Sequence, residues 1–419
     1  MKYHFVGIKG VSMGALAEIV KSMGHEVSGS DIKLSGHSKS NISSDIDVLV
    51  RTSAVNQGSP GWVEVEEAER RGIRVIKRSE LIAEITQDKK LIAVSGMHGK
   101  TTTTSLLGLI MVEAGLDPTV LVGEGIEEFS GRAYHLGCGE YFVLEACEYD
   151  RSFLDFHPEI LLLTNIDEEH LDTYPGGLPE IKDAFAKYIE NIKTGGYIVA
   201  NGDDENIIEV LKSARKDLNI IWYGKKEYLT EFSLALKGEH NRSNASAVVL
   251  VCDILGISQD HIQKVFSRFK GANRRMQFWG EHNNSLLFDD YGHHPTEISA
   301  TISALKSEYP GRKLNVIFWP HQYKRILPLI DKFSDSFSLA DSVFIKDIYF
   351  VPGRDERLAV SSRDLADRIN NNSNKAIVFT DDDEILDEID KISREECVIL
   401  TIGIPPIYML LEKLISKGK

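Results

Sequence analysis

At 419 residues the chain is long enough for two to four domains, and its 42% hydrophobic and 26% charged residues are the balance of a soluble globular protein. A net charge of −15 argues against a nucleic-acid surface, although a local cationic loop can still take an anionic nucleotide. The four cysteines show no C-x-x-C spacing, no apolar run approaches the roughly 20 residues of a membrane span, and the chain opens directly into a strand at Tyr3 to Val6. A reduced, cytoplasmic enzyme without membrane or nucleic-acid partners is therefore expected.

Residues 1–89 begin with that strand, a turn (Gly7-Ile-Lys-Gly10) and an Ala-rich helix. A second strand ends in Ser30-Asp31. This is a Rossmann-like half, in which the turn faces a pyrophosphate and the acid can reach a ribose hydroxyl. Taken alone it also fits dinucleotide redox binding, although Lys9 and Ser12 stand where glycines are expected. Gln87-Asp-Lys-Lys90 is polar and reads as a linker.

Residues 90–277 open on the apolar strand Leu91 to Val94, followed by Gly96-Met97-His98-Gly99-Lys100-Thr101-Thr102 and an apolar helix. Strand, glycine turn, Lys-Thr and helix form a phosphate-binding grammar. Glycines let backbone N–H groups close on phosphate oxygens, Lys100 supplies a mobile charge, and the Thr101 hydroxyl is placed to ligate Mg²⁺. The spacing is one glycine short of the usual loop, because Val94 stands where the first glycine belongs. Further strands end at Glu145 and before Asn165 to Asp172, and alternation with helices implies a parallel sheet with ligands beyond its carboxyl ends. Glu145 and His170 both fall there, and beside the loop they read as Mg²⁺ ligands for a nucleoside triphosphate. Asn241 lies before an expected helix over 245–255 and reads equally as its cap. Arg274 and Arg275 mark a domain edge, and Met276 to His282 reads as a second linker that permits hinge closure.

Residues 278–419 form a third α/β unit. A strand leads into Asp289-Asp290-Tyr291-Gly292-His293-His294-Pro295-Thr296-Glu297, with Thr296 as the candidate helix cap. A second leads into Trp319-Pro-His321-Gln-Tyr-Lys-Arg325.

The runs His98-Gly-Lys-Thr-Thr-Thr-Thr104, Glu145-Ala-Cys-Glu-Tyr-Asp150, Asn165 to His170, Glu239-His-Asn241, Arg274-Arg275 and Asp289 to Glu297 occur in the order found in the Mur ligases, which the whole chain resembles. The resemblance implies an α/β fold of three domains: residues 1–89 for a UDP-sugar, 90–277 for ATP and 278–419 closing over an amino acid. It implies a cytoplasmic, ATP- and Mg²⁺-dependent amide ligase of cell-wall biosynthesis, monomeric or homodimeric. A UDP-N-acetylmuramate-type carboxylate would be phosphorylated and then captured by an amine, that of L-alanine first among the amino acids. Peptide-recycling and pseudomurein ligases share the same core.

By the same resemblance, Lys100 would neutralise the phosphates, with Mg²⁺ on Thr101, Glu145 and His170. Asn241 would face the adenine, Arg275 the phosphates, and Asp290 with Tyr291 the nucleoside. Gly7, Gly10, Ser30, Asp31 and Ser53 would line the UDP site, with His293 also on the substrate side and His321 serving the amino acid. Departures from the family pattern are Lys9, Ser12, a short segment between Asp31 and Gly36, Cys147 in place of an acid, and Gly403-Ile-Pro-Pro-Ile407.

Overall fold

The structure is a computed structural model that describes residues 1–224, 232–351, 355–373 and 375–417. Two compact units are distinguished. The first comprises Met1–Glu168, Thr173–Leu234 and Ser243–Phe269; the second comprises Glu169–Asp172, Ala235–Arg242 and Lys270–Lys419.

The first unit contains two sheets. Strands β1 (Lys2–Val6), β2 (Glu26–Ser30), β3 (Val48–Arg51) and β4 (Arg74–Lys77) pair in parallel in the order β2-β1-β3-β4, with helices α1 (Val11–Ser22), α2 (Trp62–Arg70) and α3 (Arg78–Thr86) between or after them. The larger sheet is built from β5 (Lys90–Ser95), β6 (Thr119–Ile126), β7 (Arg132–His135), β8 (Tyr141–Glu145), β9 (Ile160–Leu163), β10 (Tyr197–Asn201) and β11 (Asn219–Tyr223). Its order is β11-β10-β9-β5-β8-β6-β7, and only β7 runs antiparallel to its neighbour. The central strands are near-continuous apolar runs because both faces are covered: Leu91 to Val94 and Ile160 to Leu163 are buried throughout.

Helices α4 (Lys100–Glu113), α5 (Leu178–Glu190), α6 (Glu205–Leu211), α7 (Glu239–Ile254) and α8 (Gln259–Phe266) accompany this sheet, the first residues of α7 belonging to the second unit. α4 is buried from Thr101 to Met111, as a helix apolar on every side must be. Gly108 lets it approach β6, since a Cβ there would stand 2.8 Å from the Val120 side chain. The chain leaves β5 toward β6 and β8 on one side and returns as β9 on the other. The carboxyl end of β5 is therefore the point where strand order reverses and a crevice opens.

The second unit holds β12 (Gln277–His282), β13 (Ser285–Asp290), β14 (Lys313–Phe318), β15 (Ser342–Lys346), β16 (Ala376–Phe379) and β17 (Cys397–Ile402), ordered β12-β13-β17-β14-β15-β16. Helices α9 (Pro295–Glu308), α10 (Tyr323–Ser336), α11 (Ser362–Ser373), α12 (Asp382–Ile392) and α13 (Met409–Lys417) complete it. One core gathers Ile298, Val316, Phe318, Phe333 and Leu400; another gathers Leu287, Ile317, Ile389, Ile399 and Leu411. The alternation of Val316 and Ile317 between them shows the two covered faces of β14.

Two sequence expectations are corrected here. The segment Met276 to His282 is not a linker: Gln277–His282 is an antiparallel edge strand that pairs with β13 on either side of a bulge at Trp279. The linker at Gln87 to Lys90 ends one residue early, because Lys90 already pairs with Tyr141 in β5. No helix among the described residues is long and apolar enough to cross a membrane.

Candidate active site

The loop between β5 and α4 is folded tightly around its own lysine. Lys100 Nζ donates to Gly96 O at 2.5 Å and Met97 O at 2.9 Å, and it lies 2.9 Å from a Glu148 oxygen. Gly96 (φ 136°) and Gly99 (φ 82°) hold conformations that L side chains rarely adopt. A Cβ at Gly96 would sit 2.1 Å from Thr164 Oγ1, and one at Gly99 would sit 2.7 Å from Asn244 Oδ1. The residues after β9 clamp the loop from outside. Thr164 Oγ1 and Asn165 Nδ2 donate to His98 O at 2.7 and 2.9 Å, and Asn165 Oδ1 accepts His98 N–H at 2.8 Å. His98 Nε2 also stands 3.3 Å from Asp167.

Lys100 and Glu148 are a buried ion pair, with the carboxylate side chain at 0% exposure. Burial pulls the Lys100 ammonium down, but Glu148, Cys147 and Glu145 together outweigh it and hold the group above its ordinary value. The lysine therefore stays charged at neutral pH. Cys147 goes the other way: burial and Glu148 push the thiol up to about 12, so it stays protonated and inert. Beside this pair, Thr101 Oγ1 donates to Glu145 Oε1 at 3.0 Å, and Glu145 Oε2 accepts Gly123 N–H at 2.6 Å. Glu145 is placed by register, as the last residue of β8 opposite Val94 of β5. An all-oxygen pair of hydroxyl and carboxylate suits a hard cation such as Mg²⁺.

On the smaller sheet, Gly7 (φ 86°) and Gly10, the N-cap of α1, form the first turn. The Asp31 carboxylate is engaged within the local backbone, accepting N–H groups of Lys9 and Lys33, both at 2.9 Å. Ser30 Oγ donates to the fully buried Glu64, which also accepts from Asn41 and the Ser38 backbone. Burial would raise the Glu64 pKa, but His4 and these donors hold it at about 2. This carboxylate organises the short segment after Asp31. Ser53 Oγ reaches Asp150 Oδ2 at 2.8 Å and Lys77 Nζ joins the same oxygen at 3.0 Å, tying the small sheet to the loop after β8.

In the second unit the ends of β13, β14 and β17 converge. Arg274 donates to Asp289, Gly403 O and Ile404 O, and its guanidinium stacks on Tyr291 and Tyr408. The Gly403-Ile-Pro-Pro-Ile407 departure is thus held by an arginine, and Arg275 also lies over Tyr291. Asp290 accepts N–H groups of Met276 and Gly292. The buried Glu169 gathers His293 Nε2 (3.1 Å) and Arg325 Nη2 (3.4 Å), and Arg325 in turn meets His321 Nδ1 at 3.2 Å. His321 stacks on Tyr349. His170, next to Glu169, adopts φ 54°, in the left-handed region that non-glycine residues seldom occupy.

Thr101, Glu145 and Lys100 are therefore brought together in the first unit, and His293 and His321 through Glu169 and Arg325 in the second. His170 belongs to the second unit, within Glu169–Asp172. Asn241 is not a cap before a helix at 245: α7 begins at Glu239, and Asn241 sits in its first turn with Nδ2 donating to Lys237 O at 2.7 Å. Thr296 does not cap α9. The Pro295 start makes His294 the cap, closed by a Glu297 capping box. Residue pattern marks Glu148 only as the second acid at the end of its strand, with no role, and does not single out Asn165, Glu169 or Arg325, although Arg325 is one helical turn from His321.

Asp290 carries a pH signature. Burial pushes its carboxyl up to about 6 despite Arg275. A raised folded pKa means that the stability contributed by the protonated group is fully present below pH 3.8 and is lost as pH rises through about 6. Asp290→Asn cannot ionise, so the stability of wild type minus variant is expected to fall by about 2–3 kcal/mol across that window. Urea unfolding of both proteins from pH 4 to 8 measures it, and a pH-independent difference refutes the assignment.

Comparison with known proteins agrees along the whole chain. Residues 2–90 match the Mur ligase family catalytic domain, 94–231 the Mur ligase middle domain and 274–404 the Mur ligase glutamate ligase domain. A UDP-N-acetylmuramate–L-alanine ligase of Acetivibrio thermocellus is 37% identical, covering 98% of this chain and 94% of its own. The solved UDP-N-acetylmuramate–alanine ligase MurC of Thermotoga maritima superposes with a TM-score of 0.81 at 24% identity, covering 100% of this chain and 99% of that one. A murein peptide ligase of Psychrobacter arcticus shares the fold at TM-score 0.72 and 23% identity, covering 99% and 98%.

Proposed function

The chain belongs to the Mur ligase family, and from that premise we propose that it is the ATP-dependent ligase joining L-alanine to the carboxylate of UDP-N-acetylmuramate, forming ADP and phosphate. The observation that carries the reading is the charged Lys100 inside the Gly96–Gly99 turn, beside the Thr101–Glu145 oxygen pair. A fixed cation and a hard-cation donor set at one helix N-terminus are what transfer of a γ-phosphoryl group to a carboxylate requires.

The chemistry asks the protein to hold two anions together and then to admit an amine. The lactyl carboxylate of the acceptor attacks the γ-phosphorus, ADP leaves, and the acyl phosphate is opened by the amino group with loss of inorganic phosphate. Lys100 offsets charge on the transferring group, which no nucleophilic side chain touches. Mg²⁺, when bound by Thr101, Glu145 and His170, supplies further neutralisation of the phosphate oxygens. The loop residues Gly96, Met97, His98, Gly99 and Thr102 cradle the phosphates, with Arg275 beside them, Asn241 at the adenine, and Asp290 and Tyr291 at the nucleoside. Gly7, Gly10, Ser30, Asp31 and Ser53 receive the uridine nucleotide. His293 and His321, linked through Glu169 and Arg325, hold the amino-acid side. We divide the work among residues 1–89, 90–277 and 278–419, and place the enzyme in the cytoplasm as a monomer or homodimer.

The test is phosphate release from ATP with UDP-N-acetylmuramate across a panel of amino acids and the stem tripeptide. Release with L-alanine is expected. Release only with another amino acid reassigns the amine, release only with the peptide makes the chain a recycling ligase, and no release with any of them overturns the reading.

A further inference from the structure

The loop after β9 holds the phosphate loop with its side chains, and its own backbone is held from elsewhere. Besides the bonds of Thr164 and Asn165 to His98, Asn165 O accepts Met97 N–H at 3.2 Å, so three of these four bonds end on Asn165. Asn165 can fix the turn only if its own position is fixed. That grip comes from the end of β10 and the start of α6. Asn201 Nδ2 donates to Thr164 O at 3.0 Å, Asn206 Nδ2 donates to Ile166 O at 2.7 Å, and Asp204 Oδ2 accepts Ile166 N–H at 3.0 Å. The backbone is thereby held on both sides of residue 165, and at Ile166 through its N–H and its carbonyl.

Asp204 is also the N-cap of α6, its Oδ1 accepting Ile207 N–H at 2.9 Å. A cap alone would not need an acid, because Asn and Ser cap a helix about as well. Here the acid is kept although burial, with Asp167 nearby, raises its carboxyl above the ordinary value against the N–H groups of Ile207, Ile166 and Asn206. Two N–H donors arriving at two different oxygens explain it. A carboxylate offers both acceptors, whereas an amide offers one and turns a donor toward the other N–H. Asn206 is likewise not explained by its helix. It is a poorer helix former than Ala, and its amide reaches Ile166 rather than α6.

We propose that Asp204 and Asn206 are positioning residues for γ-phosphoryl transfer, acting through Ile166 on Asn165 and through Asn165 on the turn that carries Lys100. The assignment rests on the ligase reading above. The turn matters because Gly96 O and Met97 O hold the Lys100 ammonium. A displacement of about 1 Å would misplace both that charge and the N–H groups at the head of α4, which is costly for a reaction that depends on position.

Steady-state phosphate release and calorimetric ATP titration of the full chain test the relay. Asn206→Ala removes the donor to Ile166 O and leaves the cap intact. Asp204→Ser keeps a cap acceptor but is too short for Ile166 N–H. Each is expected to lower kcat about 10- to 100-fold, the range for partners that orient a liganding side chain, and to weaken ATP binding several-fold. KM for UDP-N-acetylmuramate and for L-alanine should stay within about twofold of wild type, and the urea unfolding midpoint should move little. In an Asn165→Ala background, where the path is already cut, adding Asn206→Ala should cost less than about twofold more. Wild-type kcat and ATP affinity in both single variants overturn the proposal. So does a full further loss in the Asn165→Ala background. A fall in kcat accompanied by a lower unfolding midpoint and by raised KM for all three substrates is the pattern of a loosened fold and also overturns it. A wild-type chain that binds ATP but releases no phosphate with any amine fails the ligase reading instead, and ATP affinity across the variants then decides the relay by itself.

Discussion

Lys100→Met is expected to lower phosphate release by about three orders of magnitude and at the same time to destabilise the protein in a pH-dependent way. The two effects have one source. Lys100 is the cation of the phosphate loop and also the partner of Glu148, whose side chain has 0% exposure. Without the ammonium, Glu148 must either remain as a desolvated anion or take up a proton. Its pKa then rises, and stability is lost as pH climbs through the raised value. A cost of about 3 kcal/mol at pH 8, shrinking toward pH 5, is the order expected for breaking a buried pair from one side. The double variant Lys100→Met/Glu148→Gln separates the roles. Removing both charges should restore unfolding stability at pH 8 while phosphate release stays as low as in the single variant. Activity within about tenfold of wild type in Lys100→Met would remove the lysine from the chemistry. Recovery of activity in the double variant would mean that loss of fold caused the defect.

The pair also shows which features were legible in the sequence. β5, β8 and β9 were readable because central parallel strands are covered on both faces and carry continuous apolar runs. The glycine turn was readable because only glycine tolerates the φ values at 96 and 99. Strand ends then located Glu145 without any knowledge of packing. The edge strands were not legible in this way. β12, with Gln277, Glu281 and His282 flanking Phe278 and Trp279, carries polar residues because one edge and much of one face meet water, and so it reads as a linker. β7 and β11 were missed at the other sheet's edges for the same reason.

Buried charge was the second blind spot. Glu64, Glu148 and Glu169 look like surface residues in a chain with 26% charged residues. Only their partners distinguish them: His4 and Asn41 around Glu64, Lys100 against Glu148, and His293 with Arg325 around Glu169. Helix starts slipped by a few residues where the capping group was unusual, as with the His294 imidazole that accepts Thr296 N–H at the head of α9.

Glu145→Gln is expected to reduce phosphate release about 100- to 1,000-fold at fixed Mg²⁺ and to raise the half-saturating Mg²⁺ concentration by at least about tenfold. Two roles compete for this side chain. One carboxylate oxygen accepts the Thr101 hydroxyl and the other accepts Gly123 N–H, so Glu145 could merely staple β8 to the end of β6. A staple and a metal ligand predict different data. Gln keeps the size and one acceptor oxygen. If the staple is the whole role, the variant loses part of the hydrogen bonding, at a cost of about 1–2 kcal/mol, and its Mg²⁺ dependence is that of wild type. If Glu145 holds the cation, loss of the negative charge moves the Mg²⁺ curve even where unfolding stability is unchanged, because a neutral amide oxygen is a poorer donor to a hard ion. The adjacent Thr101 sharpens the distinction. Thr101→Val removes its hydroxyl but leaves the Gly123 contact, so it should shift the Mg²⁺ curve in the same direction as Glu145→Gln. A shift in neither variant, with activity retained, would take the cation away from this oxygen pair and leave the Thr101–Glu145 contact as a brace for the loop that carries Lys100.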